Sequence, residues 1–414
     1  MLMTTLHRNR NMTALMPRYV ERFRCIGANC EDTCCAGWPV HIDKKTYKAY
    51  RNHKDPALKP VVAFMQRIDN PPHAGMYAVL PIFGPGGDCP ALQDGKCAIQ
   101  SSAGASYLSD TCDSYPRINR HINGHSEQSM TMSCPEVARL ALLDEDAFEF
   151  IEASVSIREG TLFTTPDTPG MEPELANEAR IFCLNLMRTR ELDLWQRLAM
   201  LGAFCETLDL VRSTEIGEPM RVQTMINDFI LNIENGALST AIEPIRSNHE
   251  AQAMIFATLW ASKGFARPSP HQQTQMTLIA AGLGGNASGQ VSGTDLVAAY
   301  RRGLDRLDIA IADTPWLLEN YLLNEMFAHQ FPVGSSSAYD SFLRLFSRFG
   351  LLRFLLAARC NADDVLPSPS MLTATVGLQA RRFQHDRQFA EEVNRSLHES
   401  GWADLAKLNT LIRT

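Results

Sequence analysis

No run of apolar residues in this chain of 414 approaches the roughly 20 that a membrane helix needs, so a helical membrane span is not expected. Positive charge is not in excess either. Lysine and arginine number 39 against 46 acidic residues, a net charge of -7, which gives no general attraction for nucleic acid or an anionic membrane. The opening stretch MLMTTLHRNRNMTALMPRYVERF lacks the apolar core of a secretory signal, and the cytoplasm is the expected location. No fixed-period repeat or extended low-complexity tract is present, which argues against a solenoid. Cysteine is scarce beyond residue 135, where only Cys183, Cys205 and Cys360 occur.

The other eight cysteines, Cys25, Cys30, Cys34, Cys35, Cys89, Cys97, Cys112 and Cys134, crowd the first third of the chain. That asymmetry, in a chain longer than one typical domain, points to two domains. Residues 24 to about 123 are rich in Gly, Pro, Asp and Ser with short apolar runs, the pattern of loops, short strands and short helices. After the Pro-rich stretch 161–175, apolar residues recur three and four apart in ANEARIFCLNLMRTR, WLLENYLLNEMFAHQF and SFLRLFSRFGLLRFLLAARC, the period of helices packed on one face. The expected architecture is mainly α: an extension over 1–15, an irregular cysteine-rich metal-binding domain over 16–160, a linker over 161–175 and an all-helical domain over 176–414.

Clustered thiols in a reducing compartment are read as metal ligands before disulfides. Thiolates suit zinc or an iron-sulfur cluster. Zinc ribbons show two closely spaced pairs, whereas here Cys25, Cys30, Cys34 and Cys35 are followed by widely separated single cysteines, which tilts the reading toward a cluster and leaves zinc as the alternative. The vicinal Cys34 and Cys35 are not expected both to reach one metal. Cys134 precedes Pro135 and Glu136 at an expected helix start, where free amides stabilise a thiolate. Cys183 and Cys205 fall on apolar helical faces and are read as core. The three-then-two cysteine spacing of radical enzymes acting on S-adenosylmethionine fails: Cys30 and Cys34 supply the first interval, but Gly37 stands where the third cysteine belongs.

The segments RYVERFRCIGANCEDTCCAGWPVHIDKKTY, GDCPALQDGKCAIQSSAGASYLSDTCDSYPRI and MTMSCPEVARLAL resemble the flagellin lysine N-methylases of FliB type, and all eight early cysteines match that family's pattern. The likeness continues through IFCLNL, WLLENYLLNEMFAHQFP and RFQHDRQFAEEV. It implies methyl transfer from S-adenosylmethionine to lysine side chains of a protein partner, flagellin, by an enzyme holding a four-iron four-sulfur (4Fe-4S) cluster.

Methylating lysine requires the neutral amine, although free lysine has a pKa of about 10.4, so the site must desolvate the amine or offer a base. Tyr115, Tyr321, Glu325 and His385 are the candidate groups. Trp38 is a candidate to stack on the donor's adenine or cover the cluster, and Arg117 to bind the donor carboxylate. Asn320 and Asn324 share the helix of Tyr321 and Glu325. Gly282-Leu283-Gly284-Gly285-Asn286-Ala287 loosely matches a dinucleotide loop but reads better as a helix stop, and GPGGD (84–88) reads as a turn leading to Cys89. Two other classes compete with the methylase: a non-enzymatic zinc- or iron-chelating interaction protein, and a redox enzyme using the cluster.

Overall fold

Alternating burial along Asn9–Pro17 makes this segment the first strand, β1: Ala14 and Met16 are buried while Thr13 is exposed. The computed structural model describes all residues except 1–5, 85, 123, 166–167, 169–170, 214–218, 265–266, 286–291 and 414. Two compact units divide the chain. The first takes the described residues of 1–140, 149–165 and 265–276; the second takes those of 141–148, 166–264 and 277–414.

In the first unit, short strands β2 (Val40–Ile42), β3 (Gln66–Arg67) and β4 (Ala78–Leu80) form an antiparallel sheet in the order β2-β4-β3. Strands β5 (Leu92–Gln93) and β6 (Lys96–Cys97) make a hairpin. Its two loop residues, Asp94 and Gly95, both have positive φ, the backbone that a tight hairpin turn demands. The larger sheet adds β7 (Arg117–Ile122), β8 (His125–Met130), β9 (Phe150–Arg158) and β10 (Leu162–Thr164) to β1, in the order β10-β7-β8-β1-β9. Pairing of β1 with β9 runs unbroken from Asn9↔Arg158 to Pro17↔Phe150.

Helices dominate the chain as expected, but this five-stranded sheet corrects the picture of an irregular first domain and of an extension reaching residue 15. Its physical disguise is a polar interior. Buried Gln128 on β8 donates to Asn119 on β7 (2.7 Å), and Asn119 donates to Thr161 (3.2 Å), so strand residues that look solvent-facing in sequence satisfy one another inside. The expected linker 161–175 begins with β10 and lies partly outside the described residues. The expected helical domain likewise lends residues to the first unit, where Ser269 and Gln272 donate to the buried carboxylate of Asp32 (2.9 and 3.1 Å) and Arg267 donates to the carbonyl of Ile82 (2.9 Å).

The second unit is organised around helix Ala338–Cys360, apolar on nearly every side and buried along almost its whole length. Around it pack helices Leu194–Ser213, His249–Ala261, Gly293–Ala310 and Pro369–Phe383. Its N-terminal amides are satisfied by Asp209, which accepts from Ala338 N and Tyr339 N (2.8 Å each), while Ser337 caps Asp340 N. Buried Arg353 donates to the last carbonyls of helix Leu405–Ile412, Leu411 O at 2.8 Å and Ile412 O at 2.5 Å, placing a cation at that helix's negative end. No described helix is long and apolar enough to cross a membrane.

Gly350 lets helix His249–Ala261 approach: a Cβ there would sit 2.0 Å from Cζ of buried Phe256. Gly350→Ala should therefore destabilise the helical unit by about 1–3 kcal/mol, since a packed ring must shift. Urea unfolding followed by helical circular dichroism reads this, and an unchanged midpoint would refute the tight packing.

A second expectation concerns His7, whose ring lies 2.9 Å from Thr46 Oγ1 and 3.4 Å from Asp110 Oδ1. Burial first, then Arg158, lowers its pKa below the ordinary value of 6.5. The folded state therefore binds fewer protons than the unfolded state just below pH 6.5; this contribution to stability is complete above that pH and erodes as pH falls toward the folded value. Melting temperatures at pH 7 and pH 5 should differ less in His7→Gln than in the parent chain. An equal or larger drop in the variant would contradict this.

Candidate functional site

The cysteine-rich loops are joined backbone to backbone. Cys89 N donates to Cys35 O (2.8 Å), Gly37 N to Gly87 O (2.9 Å), and Phe83 and Asp88 exchange both amide hydrogen bonds, so the 83–88 segment turns back and delivers Cys89 beside Cys35. Ala98 N donates to Ala91 O (2.7 Å), holding the β5–β6 hairpin and Cys97 against the same region. Cys35, Cys89, Cys97 and Cys112 all pack on one apolar core that includes Val40, Ile42, Tyr50, Ile99 and Leu108. None of the eleven cysteines is in a disulfide.

Electrostatics show which thiols are neighbours. The thiols of Cys34 and Cys97 drive the pKa of Cys35 far up, and Cys35 is in turn the largest cause lowering that of Cys97 to about 6. Burial pushes Cys89 up to about 11 and Cys112 to about 12, and both feel Cys97 and Cys34. Cys134, also raised to about 12 by burial, feels Cys30 and Cys34. Cys25 stands apart, exposed and in electrostatic range of Arg117.

Two thiols sit where amides converge. Cys97 stands at the N-terminus of helix Ala98–Ala103 and Cys134 at that of helix Pro135–Leu142, where the amides of Ile99 and Gln100, and of Glu136 and Val137, act to lower their pKa. Both arrangements favour a thiolate. A neighbourhood of desolvated thiols, two of them at helix N-termini, suits a cation that takes up thiolates, so the donor set fits a soft-metal centre.

Trp38 and Tyr115 flank this set. The Trp38 indole donates to Cys34 O (2.6 Å), and its ring meets that of Tyr115 edge to face at 5.1 Å. The Tyr115 hydroxyl lies 3.1 Å from Ser133 Oγ, itself 3.0 Å from Thr131 Oγ1, forming a short chain of hydroxyls. Arg117 spreads over the Phe23 ring at 5.3 Å, with burial lowering its pKa.

In the second unit Tyr321, Glu325 and His385 gather around Arg348. Arg348 donates to Glu325 (2.7 Å) and lies 2.8 Å from His329 Nε2; Gln384 also donates to Glu325. Tyr321 is fully enclosed and donates to Gln379 (3.2 Å), which in turn donates to Arg348 O (3.2 Å). The His385 ring is reached by solvent yet crowded by protein; that crowding, then Arg381 and Arg348, lowers its pKa. Asn320 is elsewhere, donating to the carbonyls of Ala141 (3.0 Å) and Asp144 (2.9 Å). Asn324 is buried. Gly282 closes helix Pro270–Gly282, and the end of the glycine loop falls outside the described residues.

Sequence reasoning missed two features. His7, Asp43 and Asp110 bring one ligand atom each within 4.8 Å of one another, the one such group among the described residues. Arg158, 3.5 Å from Asp110 and 2.9 Å from Asp113, supplies the positive charge there, so the cluster is an ion-pair network. His7 was hidden in the segment expected to be an extension. The other omission is a pair of open grooves of about 560 and 460 Å³ beside helix Pro219–Glu234, lined by none of the residues singled out above.

Comparison with known proteins places these features in a family. The sequence model described as the FliB lysine N-methylase C-terminal domain matches residues 180–411. The chain is 23% identical over 404 residues to a lysine-N-methylase of Salmonella typhimurium, covering 94% of this chain and 96% of that protein, and equally to one of Salmonella choleraesuis. It is 32% identical over 156 residues to a flagellar biosynthetic protein FliU of Salmonella muenchen, covering 37% of this chain and 90% of that protein. No solved structure matches. With more than half its length matched by that domain, the chain belongs to the FliB lysine N-methylase family, methyltransferases that act on protein lysine.

Proposed function

We propose that this enzyme transfers methyl groups from S-adenosylmethionine to lysines of flagellin, and that its early cysteines hold a 4Fe-4S cluster. The observation that carries the reaction is the family match across the helical half. The flagellar name of one relative supports flagellin as the substrate.

The nitrogen lone pair of a neutral lysine attacks the sulfonium methyl, the carbon–sulfur bond breaks, the thioether leaves, and the methylated ammonium returns a proton to a base or to water. The chain's task is to desolvate and orient the amine. Tyr115 is the proposed base nearest the thiols, because its half-buried hydroxyl is wired through Ser133 to Thr131. Trp38, with its indole fixed on Cys34 O, is the proposed stacking surface for the donor, and Arg117 the proposed partner of the donor carboxylate. Glu325, Tyr321 and His385 are proposed to shape the lysine-binding part of the helical domain through Arg348.

The cluster's thiolates come from a subset of Cys25, Cys30, Cys34, Cys35, Cys89, Cys97, Cys112 and Cys134. When bound, the cluster staples the loops or anchors the donor's amino-acid end, and no redox step is required of it. The scatter of single cysteines that follows Cys25, Cys30, Cys34 and Cys35 in the sequence supports iron-sulfur over zinc, whose ribbons use two closely spaced pairs.

Mass spectrometry of flagellin incubated with enzyme and donor should show gains of whole methyl groups on lysine. No gain on flagellin, with methylation of another lysine-bearing protein, would remove flagellin as substrate; no gain on any would sink the donor and reaction together.

A further inference from the structure

The groove of about 460 Å³ runs between helices Pro173–Arg188 and Pro219–Glu234. Its floor is apolar, formed by the buried side chains of Phe182, Leu186 and Ile226. Apolar side chains also stand open on its walls, Ile181 at 57% and Ile230 at 41% exposure, and with the floor they line one groove rather than standing singly. Helical spacing orders the lining. Ile181, Asn185 and Thr189 form one ridge at intervals of four, and Ile226, Ile230 and Glu234 the facing one. Ridges of this kind accept the ridge of a third helix. The lined length, residues 178–189, corresponds to about 16 Å of helix, or three turns.

Charge identifies the occupant. The charged lining residues are Glu178 and Glu234, with no lysine, arginine or histidine among the lining. Neither carboxylate has an ion-pair partner among the described residues. An apolar trough with a carboxylate on each helix complements an amphipathic helix whose apolar stripe is flanked by lysine or arginine.

We infer that this groove docks an amphipathic, basic helical segment of the protein substrate, through residues other than those proposed to act on the methylated lysine. The inference rests on the reading of the enzyme as a methylase of a lysine-bearing protein and adds the substrate feature it recognises. Docking through a groove of its own selects whole proteins over short lysine peptides, because binding energy gathered there lowers KM without touching the reacting amine.

The test uses the full-length enzyme, flagellin, and a short lysine peptide too small to span the groove. Ile181→Lys with Ile230→Lys changes two exposed positions, so folding should be kept, and circular dichroism checks this. The pair should raise KM for flagellin by about tenfold or more, leave kcat near the parent value and leave peptide methylation unchanged. Glu178→Gln with Glu234→Gln should raise the same KM by a few-fold and weaken its salt dependence. An unchanged flagellin KM in the isoleucine pair would overturn the inference while leaving the methylase reading intact. So would a parent dimer, seen by light scattering, that the same pair converts to monomer, since the groove would then belong to a second copy. If the parent enzyme methylates neither substrate, that reading fails by itself. The groove is then judged with two synthetic helical peptides sharing a leucine stripe, one with lysine flanks and one with glutamate flanks. Binding of the lysine peptide alone, lost in the isoleucine pair, upholds it; equal binding of both or of neither overturns it.

Discussion

Thiols crowded into one desolvated neighbourhood resist ionisation unless a cation replaces their protons, and the cysteine-rich unit is built around that constraint. Burial first, then neighbouring thiols, raises Cys89, Cys112 and Cys134 well above an ordinary thiol, while Cys97 is lowered by its neighbour Cys35. The loops carrying them have little regular structure, so their approach is set by a few backbone bonds, Cys89 N to Cys35 O and Ala98 N to Ala91 O foremost. A bound cation would convert this electrostatic burden into cohesion, because metal affinity gained in the folded state is folding free energy. The sheet of β1 and β7 to β10 gives the same unit a hydrogen-bonded frame that does not depend on the thiols.

The helical unit solves a different problem. Helix Ala338–Cys360 is buried on every side, yet it carries Arg348, Arg353 and Arg359 inward. Each cation has a job that compensates its desolvation: Arg348 meets Glu325, Arg353 closes the end of the C-terminal helix, and Arg359 pairs with Asp363. Glu325 and Tyr321 therefore belong to the interior that fixes this helix, and any part they take in lysine binding is exerted through Arg348.

Legibility in the sequence followed the physics of burial. Periodic apolar residues exposed the helices, and Cys134 with Pro135 marked a helix start that the structure contains. Strands β7 and β8 were hidden because Asn119, Glu127, Gln128 and Ser129 are polar and buried, so period-two hydrophobicity never develops. The recruitment of Ser269 and Gln272 to Asp32 was invisible for another reason: it is a polar contact across some 240 residues of chain, with no local pattern on either side. Of the proposed site, the crowding of cysteines is visible in the sequence, whereas the contact of Trp38 with Cys34 O and of Tyr115 with Trp38 needed the fold. The grooves beside helix Pro219–Glu234 could not be read, since an exposed isoleucine looks like a core isoleucine until the packing is known.

Family membership accounts for the methylase activity, whereas the cluster is proposed from the thiols and the resemblance, and the chemistry of methyl transfer does not itself demand one. The most direct measurement is iron, acid-labile sulfide and zinc per chain in protein purified without oxygen. About four iron and four sulfide with no zinc is the expected result. Zinc without sulfide, or no metal at all, would contradict it.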